Sequence, residues 1–355
     1  MKKLFTLLMI AFIFTVGCAD EKVTQQEKPE TVETEEVEDS SDKEKKKKAE
    51  KKKQTKLDNL NVHYIDAGQG DAALLEFTEG DDSYAILYDA GDWQGNEVVL
   101  YLHNEGIDYL DIVIISHPHA DHIGQLEDVL ANIEVGEVWM TGNTANSAVY
   151  ERATEAILAS DANYDEPEAG DVFDVGALTL SVLHPKSLTG GLNEDSLSVH
   201  FAYGDVAFLF TGDAYTDQEE QMIASGANLE ADFLQLGHHG SKTSTGQAFI
   251  DAVNPEYAIY SAGEGNSYGH PHQEVLDRLD AKNVTTYGTD VHGNIVVTTD
   301  GMESTIETNQ NGDISAGTGG KEKKSTSSTE KSPKPKEEKA PSGDCVDINT
   351  ASESD

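Results

Sequence analysis

Residues 111–125 concentrate side chains that commonly bind metal ions. The stretch reads DIVIISHPHADHIGQ and carries His117, His119, Asp121 and His122. Imidazole together with carboxylate suits zinc, and also manganese or iron. His117 and His119 can bind one ion, whereas Asp121 and His122 point differently, so the spacing predicts a second ion. The pattern is not the helical HExxH zinc site, in which the two histidines lie one turn apart.

The sequence on either side of these ligands predicts a rigid scaffold. Residues 112–115 are a β-branched apolar run that suits a strand buried on both faces. Residues 126–133 carry apolar side chains at helical spacing. The four ligands therefore lie in a turn between a strand and a helix, which holds them in a fixed orientation.

Other polar side chains also follow predicted strands. A strand at residues 206–210 leads to Asp213, and a shorter strand leads to His238 and His239. Strands alternate with helices and hairpins over residues 58–308, which predicts an α/β fold of two mixed sheets flanked by helices. We expect ligands that come from several strand ends to meet at one edge of this fold.

The composition narrows the class of protein. The chain has 355 residues and a formal net charge of -41. An acidic surface argues against a broad nucleic-acid-binding face, although it permits cleavage of a phosphodiester that metal ions capture. The turn DAGQGD at residues 66–71 lacks the spacing of nucleotide-binding loops, so no nucleotide cofactor is expected.

The N-terminal sequence predicts export from the cytoplasm. Residues 1–17 contain two lysines and then an apolar run, which is typical of a signal peptide. The run ends in TVGC at Cys18, which resembles a bacterial lipoprotein box and implies lipidation on the extracellular face of the cytoplasmic membrane. The alternatives are an uncleaved anchor and a secreted protein. Residues 18–57 predict a charged linker, and residues 309–343 a low-complexity linker.

Several motifs together resemble the metallo-β-lactamase superfamily. They are HxHxDH at residues 117–122, TGD at 211–213 and GHHGS at 237–241. More narrowly, DAGQGD, NEDSLSV, LGHHGSKTST and NSYGHPH resemble the hydrolase domain of ComEC-type competence proteins, and this resemblance spans residues 58–308. It implies an αββα sandwich with a dinuclear metal site at one edge, which holds two divalent ions, zinc or alternatively manganese.

The resemblance also implies a set of metal ligands. His117 and His119 would hold the first ion, Asp121 and His122 the second, and Asp213 would bridge the two. His239 would complete the second site, with His238 facing the substrate as a catalytic residue, although these two roles could be exchanged.

One ligand position departs from the superfamily. The superfamily's middle histidine falls near Asn193, and an asparagine is a poor zinc ligand. His184 is the nearest imidazole and a candidate substitute. If neither side chain binds the metal, the first site is weaker or partly open.

The predicted chemistry is hydrolysis of a phosphodiester. Two cations that share a hydroxide would supply the nucleophile, because metal binding lowers the pKa of water towards about 7. Asp121 would orient this nucleophile, and His270 would protonate the leaving oxygen. The expected substrate contacts, which stabilise charge on phosphoryl oxygens, are Ser241, Lys242, Thr243, Asn193 and Tyr268.

The sequence therefore predicts a surface-anchored, metal-dependent phosphodiesterase or nuclease that acts on extracellular DNA. One alternative is a phosphodiesterase that acts on cell-wall polymers such as teichoic acid phosphorylcholine. Another is a non-catalytic DNA-receptor lipoprotein. Residues 344–355 contain CVDINTAS at positions 345–352. This segment resembles the start of a ComEA-type helix-hairpin-helix domain, a class that binds DNA backbones.

Overall fold

The structure is a computed structural model that describes residues 56–318. The predicted signal peptide, the lipidated Cys18 and the segment at residues 344–355 lie outside the described residues, as does most of each predicted linker. Among the described helices, none is long and apolar enough to cross a membrane.

Eight strands form the first sheet. They are β1 (Leu60–Tyr64), β2 (Ala73–Glu79), β3 (Asp82–Tyr88), β4 (Tyr109–Ile114), β5 (Glu134–Trp139), β6 (Asn163–Asp165), β14 (Ile295–Thr299) and β15 (Ser304–Thr308). Their order is β15-β14-β1-β2-β3-β4-β5-β6. The strands from β15 to β3 pair antiparallel, and those from β3 to β6 pair parallel. The sheet is therefore mixed, as the sequence predicts.

Seven strands form the second sheet. They are β7 (Val172–Val175), β8 (Leu178–His184), β9 (Ser198–Tyr203), β10 (Val206–Phe210), β11 (Phe233–Gln235), β12 (Tyr257–Tyr260) and β13 (Thr285–Gly288). Their order is β13-β12-β11-β10-β9-β8-β7. The strands from β7 to β10 pair antiparallel, and those from β10 to β13 pair parallel.

Helices cover the outer face of each sheet. They are α1 (Glu97–Asn104), α2 (Leu126–Asn132) and α3 (Ala148–Ala159) on the first sheet, and α4 (Thr216–Ser225), α5 (Gln247–Val253), α6 (Gln273–Asp280) and the short α7 (Thr289–His292) with the second. One apolar core lies between the two sheets. A second lies between the first sheet and its helices, and a third between the second sheet and its helices. These four layers confirm the predicted αββα sandwich.

β4 is the strand that positions the histidine cluster. Ile112 and Ile114 pack into the core between the sheets, whereas Val113 and Ile115 pack beneath the helices. The predicted burial on both faces is therefore confirmed. Burial of such a side chain contributes about 1.5–3 kcal/mol to the stability of the fold. β4 is therefore held rigidly, and it fixes the position of the residues that follow it.

Three strands were not expected from the sequence, and each lies at the edge of a sheet. They are β6, β7 and β13. All three residues of β6 are exposed, and β7 alternates only exposed and half-exposed residues. An edge strand without a fully buried face lacks the hydrophobic periodicity on which the prediction rests.

Candidate metal centre

Three loops at one edge of the sandwich are joined by backbone hydrogen bonds. The Asp71 amide donates to the Asp121 carbonyl at 3.0 Å, and the Ala90 amide donates to the His122 carbonyl. A Cβ on Gly70 would lie 2.3 Å from the Asp92 nitrogen and 2.7 Å from the Asp121 oxygen. Since both are backbone atoms, glycine is needed here to let the loops approach one another.

A first group of metal-type ligands consists of His117, His119 and Asp213. His117 Nε2 lies 2.9 Å from His119 Nδ1 and 3.6 Å from Asp213 Oδ2. His117 is fully buried, and Asp213 is almost so. This brings together two side chains that follow β4 with one that follows β10, so both sheets contribute.

A second group consists of Asp71, His122, Asp213 and His239, each of which offers a ligand atom within 4.8 Å of the others. His122 Nε2 lies 3.3 Å from Asp213 Oδ1, and His239 Nε2 lies 4.0 Å from the same oxygen. Asp213 is thus shared, with Oδ2 towards the first group and Oδ1 towards the second.

The outer ring nitrogens of the second group are held by other partners. His122 Nδ1 lies 2.8 Å from Asp89 Oδ2, and His239 Nδ1 lies 3.1 Å from the Ser261 carbonyl oxygen. Both contacts fix the ring so that Nε2 is free to bind an ion. Asp89 also accepts hydrogen bonds from the Ser116 amide and hydroxyl.

Asp71 and Asp121 lie near different nitrogen atoms of the His239 ring. Asp71 Oδ1 is 3.7 Å from His239 Nδ1, whereas Asp121 Oδ2 is 3.4 Å from His239 Nε2. Because Nε2 faces Asp213, Asp121 is better placed than Asp71 to bind the same ion as His239. Asp71 lies instead beside Nδ1, although it also offers a ligand atom within 4.8 Å of the other members of the second group.

The chemistry of these buried atoms fits a pair of divalent cations. Within the described residues, both carboxylate oxygens of Asp71, Oδ1 of Asp213 and the Nε2 atoms of His122 and His239 are buried without a hydrogen-bond partner. Such atoms are costly to bury unless a partner satisfies them. A cation satisfies carboxylate and imidazole lone pairs together, so the cluster is compatible with a dinuclear metal site.

The buried carboxylates of the cluster also favour positive charge on the neighbouring histidines. Burial alone would lower the pKa of His122, yet Asp213 and Asp89 hold it well above its usual range. Burial is likewise overcome at His239, where Asp71, Asp121 and Asp213 raise the pKa to about 9. The buried carboxylates thus stabilise a proton on each ring, and a bound cation would meet the same demand.

The two candidates for the middle ligand differ in whether their metal-binding atom is already bonded. His184 Nε2 lies 2.7 Å from the Glu194 carbonyl oxygen, and His184 belongs to neither ligand group. Asn193 Nδ2 donates to the Tyr215 hydroxyl at 3.1 Å, while Asn193 Oδ1 is buried without a partner. The structure therefore does not bring His184 to the cluster.

The side chains predicted to donate hydrogen bonds to substrate lie in the loop that follows the histidine pair, His238 and His239. Thr243 Oγ1 lies 3.1 Å from His238 Nδ1 and donates to Ser241 Oγ at 3.0 Å. Ser241 is buried, whereas Lys242 is exposed. The amide of Lys242 donates to His272 Nδ1 at 3.1 Å, which ties this loop to the start of α6.

His270 and Tyr268 lie beside the same histidine pair. The ring of His270 is 5.7 Å from that of His238 and 6.0 Å from that of His239. Tyr268 is 64% exposed and stacks on His270 with ring centroids 5.6 Å apart. Burial, together with the neighbouring His239, lowers the pKa of His270 to about 3, which favours its neutral form.

Two carboxylates of the centre were not assigned from the sequence. Asp71 ends the DAGQGD turn, and Asp89 begins DAG directly after β3. Asp89 follows the pattern of polar residues at strand ends, whereas Asp71 lies in the turn between β1 and β2. Neither lies in a histidine-rich stretch, so the type and spacing of their neighbours gave no metal signal.

An αββα sandwich with adjoining buried histidine and aspartate groups at one edge defines a class of metal-dependent hydrolases. A family model for the metallo-beta-lactamase superfamily matches residues 65–264. The chain belongs to the metallo-beta-lactamase superfamily.

Curated relatives share about a third of their sequence with this chain over the matched region. The ComE operon protein 3 of Bacillus subtilis is 31% identical over 250 residues, which are 66% of this chain and 32% of that protein. Competence protein ComA of Neisseria gonorrhoeae is 31% identical over 231 residues, 64% of this chain and 30% of that protein. The chain thus spans about a third of the length of these relatives.

Solved structures are similar to this chain at lower identity. The metallo-beta-lactamase fold protein YhfI from Bacillus subtilis is 14% identical, with a TM-score of 0.44, over 64% of this chain and 95% of its own.

Proposed function

We propose that this chain is a metal-dependent phosphodiesterase that cuts DNA outside the cell, anchored there through Cys18. The observation that carries the proposal is Asp213, whose two carboxylate oxygens face two separate histidine groups. Two ions held by these groups would lower the pKa of bound water and withdraw charge from phosphoryl oxygens. Zinc suits the imidazole ligands, and manganese is the alternative.

The chain's own residues would supply orientation and proton transfer around the ions. His117, His119 and Asp213 would hold the first ion, and Asp121, His122 and His239 would complete the second with Asp213. Asp121 is one-third exposed, so it also reaches the space where a substrate would lie. His270, whose Nδ1 is buried without a partner in the described structure, would transfer a proton to the leaving oxygen. Because its neutral form is favoured, it would first have to take up a proton, for which the attacking water is the source.

Lys242 supports an anionic substrate. The described residues contain six lysines and arginines, which are Lys56, Arg152, Lys186, Lys242, Arg278 and Lys282. Lys56, Arg152 and Lys282 form ion pairs with Asp300, Glu127 and Asp251. Within residues 56–318 no acidic partner lies within ion-pair distance of Lys242, which sits three residues after His239. An exposed cation at this position in an acidic protein suits a phosphate group.

The preference for DNA rests on the competence relatives and on the exposed ring of Tyr268. The Neisseria relative is named as a competence protein. A base can stack on an exposed aromatic ring, and such stacking tolerates any sequence. Tyr268 lies against His270, so a base stacked there would be close to the ligand histidines.

Cleavage of end-labelled single- and double-stranded DNA by the full chain tests the proposal, with zinc and manganese supplied separately. We expect metal-dependent cutting that Asp121→Ala and His119→Ala abolish. Lys242→Ala should raise KM and weaken its salt dependence, whereas Lys282→Ala, which removes an ion-paired lysine, should not. Metal binding without DNA cleavage would contradict the nuclease, and failure to bind metal would favour a non-catalytic receptor.

A second candidate is a phosphodiesterase that acts on cell-wall polymers such as teichoic acid phosphorylcholine. The acidic surface favours it, because a net charge of -41 attracts the choline cation, which DNA lacks. Release of phosphorylcholine from wall material, in the absence of DNA cleavage, would support this candidate over the first.

A further inference from the structure

The first ligand group has three protein ligands, which leaves one further position on its ion for a side chain, water or substrate. It contains His117, His119 and Asp213, whereas an ion such as zinc takes four ligands, one of which is water or substrate in an open site. Of the two residues expected from the sequence to fill the place, His184 has its Nε2 atom beside the Glu194 carbonyl, and Asn193 offers only its amide oxygen, which is buried without a partner in the described structure. An imidazole from elsewhere in the fold would be a stronger zinc ligand than this amide oxygen.

His238 belongs to neither ligand group, but one of its ring nitrogens lies beside the carboxylate that the two groups share. Its Nε2 lies 3.5 Å from Asp213 Oδ2, the same oxygen that lies 3.6 Å from His117 Nε2. Two ligands of one tetrahedral zinc ion, each about 2.1 Å from the metal, are about 3.4 Å apart. Both distances to Asp213 Oδ2 therefore match the spacing of ligands around a common ion.

The other ring nitrogen of His238 is held by a chain of hydroxyl groups. Thr243 Oγ1 donates to Ser241 Oγ, so it is free to accept from His238 Nδ1 at 3.1 Å. A proton on Nδ1 leaves Nε2 with its lone pair. That lone pair then faces Asp213 Oδ2, which is also an acceptor, and a cation between the two atoms resolves the repulsion.

The backbone explains how neighbouring histidines reach different ions. His238 and His239 both have left-handed conformations, with φ of 53° and 57°. Such conformations are unfavourable for most residues and persist where the surrounding structure fixes them. Here the His238 amide donates to the Gly212 carbonyl at 3.0 Å. As a result, His238 faces Asp213 Oδ2 and His239 faces Asp213 Oδ1.

We infer that His238 is a ligand of the first ion and takes the place of the superfamily's middle histidine. The inference rests on the two-ion site of the proposed function, and it assigns His238 to the metal rather than to the substrate. Three imidazoles and one carboxylate oxygen then surround the first ion. This set favours zinc or cobalt over magnesium at that site.

Metal binding by the full chain tests the inference without any measurement of cleavage. The apoprotein would be titrated with zinc by calorimetry and with cobalt by visible absorption, and bound metal would be counted by elemental analysis. His238→Asn is the main variant, because asparagine tolerates the left-handed backbone but cannot extend a ring nitrogen to Asp213. His184→Asn is the matched control, since it removes the rival imidazole.

We expect the wild type and His184→Asn to bind two ions. His238→Asn should bind one ion normally and the other at least about tenfold more weakly, with a changed cobalt spectrum. Circular dichroism would establish that each variant is folded, and a second variant, His238→Ala, would be examined in the same way.

Two outcomes would overturn the inference. Two ions bound to both His238 variants with unchanged affinity would exclude His238 as a ligand. Loss of one ion in His184→Asn would assign the place to His184 instead. The proposed function fails separately, if the wild type binds two ions but cleaves no phosphodiester. A wild type that binds no ion would reject both proposals.

Discussion

At the scale of single residues, the centre depends on buried carboxylates that hold histidines in one orientation. Asp89 is fully buried and contacts His122 Nδ1 at 2.8 Å. Burial raises the pKa of Asp89 to about 6, and His122 opposes that shift. The charge of Asp89 is therefore maintained largely by its partner, so the two residues act as a pair.

Asp89→Asn should weaken metal binding without removing a ligand. The amide keeps the size of the side chain but loses the charge that orients His122 and raises its basicity, and such changes typically cost 10–100-fold in metal affinity. Competition against a chelating dye would measure this change. Asp81→Asn, which alters an exposed turn residue, should leave the affinity as it is; an equal loss in both variants would contradict the role of Asp89.

The residues that the sequence could and could not identify differ in one respect. The sequence identifies His117, His119 and His122 because three imidazoles lie within one short stretch. The TGD and GHHGS motifs identify Asp213 and His239. Asp71 and Asp89 are single aspartates in turns, and many turns contain such a residue for local hydrogen bonding. Only the packing of three loops around Gly70 reveals that these two point inwards.

At the scale of elements, the loop that follows the histidine pair is held from two helices. Glu219 on α4 accepts hydrogen bonds from the amides of Thr245 and Gly246. Arg278 on α6 donates to the Thr245 carbonyl at 3.0 Å. The loop that carries Lys242 is thereby fixed at its far end, away from the metal ligands.

Glu219 should make the stability of the domain depend on pH. Burial raises its pKa from 4.5 to about 7, although the Gly246 and Thr245 amides oppose the shift. The folded state then binds a proton that the unfolded state has lost between these two values. The contribution is therefore fully present below about pH 4.5 and is lost as the pH rises through about 7. The shift corresponds to about 3 kcal/mol.

Glu219→Gln should remove this dependence. The difference in unfolding free energy between wild type and variant, measured by urea denaturation from pH 5 to pH 8, should shrink or reverse with rising pH. At pH 5 the variant should be the less stable, because its amide replaces an acceptor that faces an N–H donor. Glu220→Gln, at the exposed neighbouring position on α4, serves as the control. A difference that stays constant over this range would refute the assignment.

Central and edge strands differ in how well the sequence predicts them. β4 is central and buried on both faces, so its apolar run identifies it. β13 is an edge strand with the sequence TTYG, in which only Gly288 is fully buried. Its pairing with β12 comes from the return of α6 to the sheet, a tertiary effect that the residues of β13 do not encode.

At the scale of the whole molecule, the metal ligands join the two sheets. His117, His119 and His122 follow β4 in the first sheet, whereas Asp213 follows β10 and His239 follows β11 in the second. The two sheets pack together through an apolar core. At the edge of that core they meet through the polar and charged atoms of the ligand groups. Metal ions bound there would link the sheets at a place where carboxylates would otherwise repel one another.

Removal of metal should consequently lower the melting temperature of the full chain. A ligand that binds only the folded state at 100 times its dissociation constant adds about 2.7 kcal/mol per site, which corresponds to about 5–10 °C for a domain of this size. Differential scanning calorimetry with zinc and with a chelator would measure the shift. Asp213→Asn should lose most of it, because this one carboxylate serves both groups.

Comparison with His238→Asn separates the two ions in the same experiment. If the ions bind independently, this variant should keep about half of the shift, since the second group remains complete. If the sheets are held together only when both ions are present, it should lose nearly all of the shift, as Asp213→Asn does. A full shift in Asp213→Asn would instead mean that the metal binds away from the edge where the sheets meet, and would contradict the shared carboxylate as the link between them.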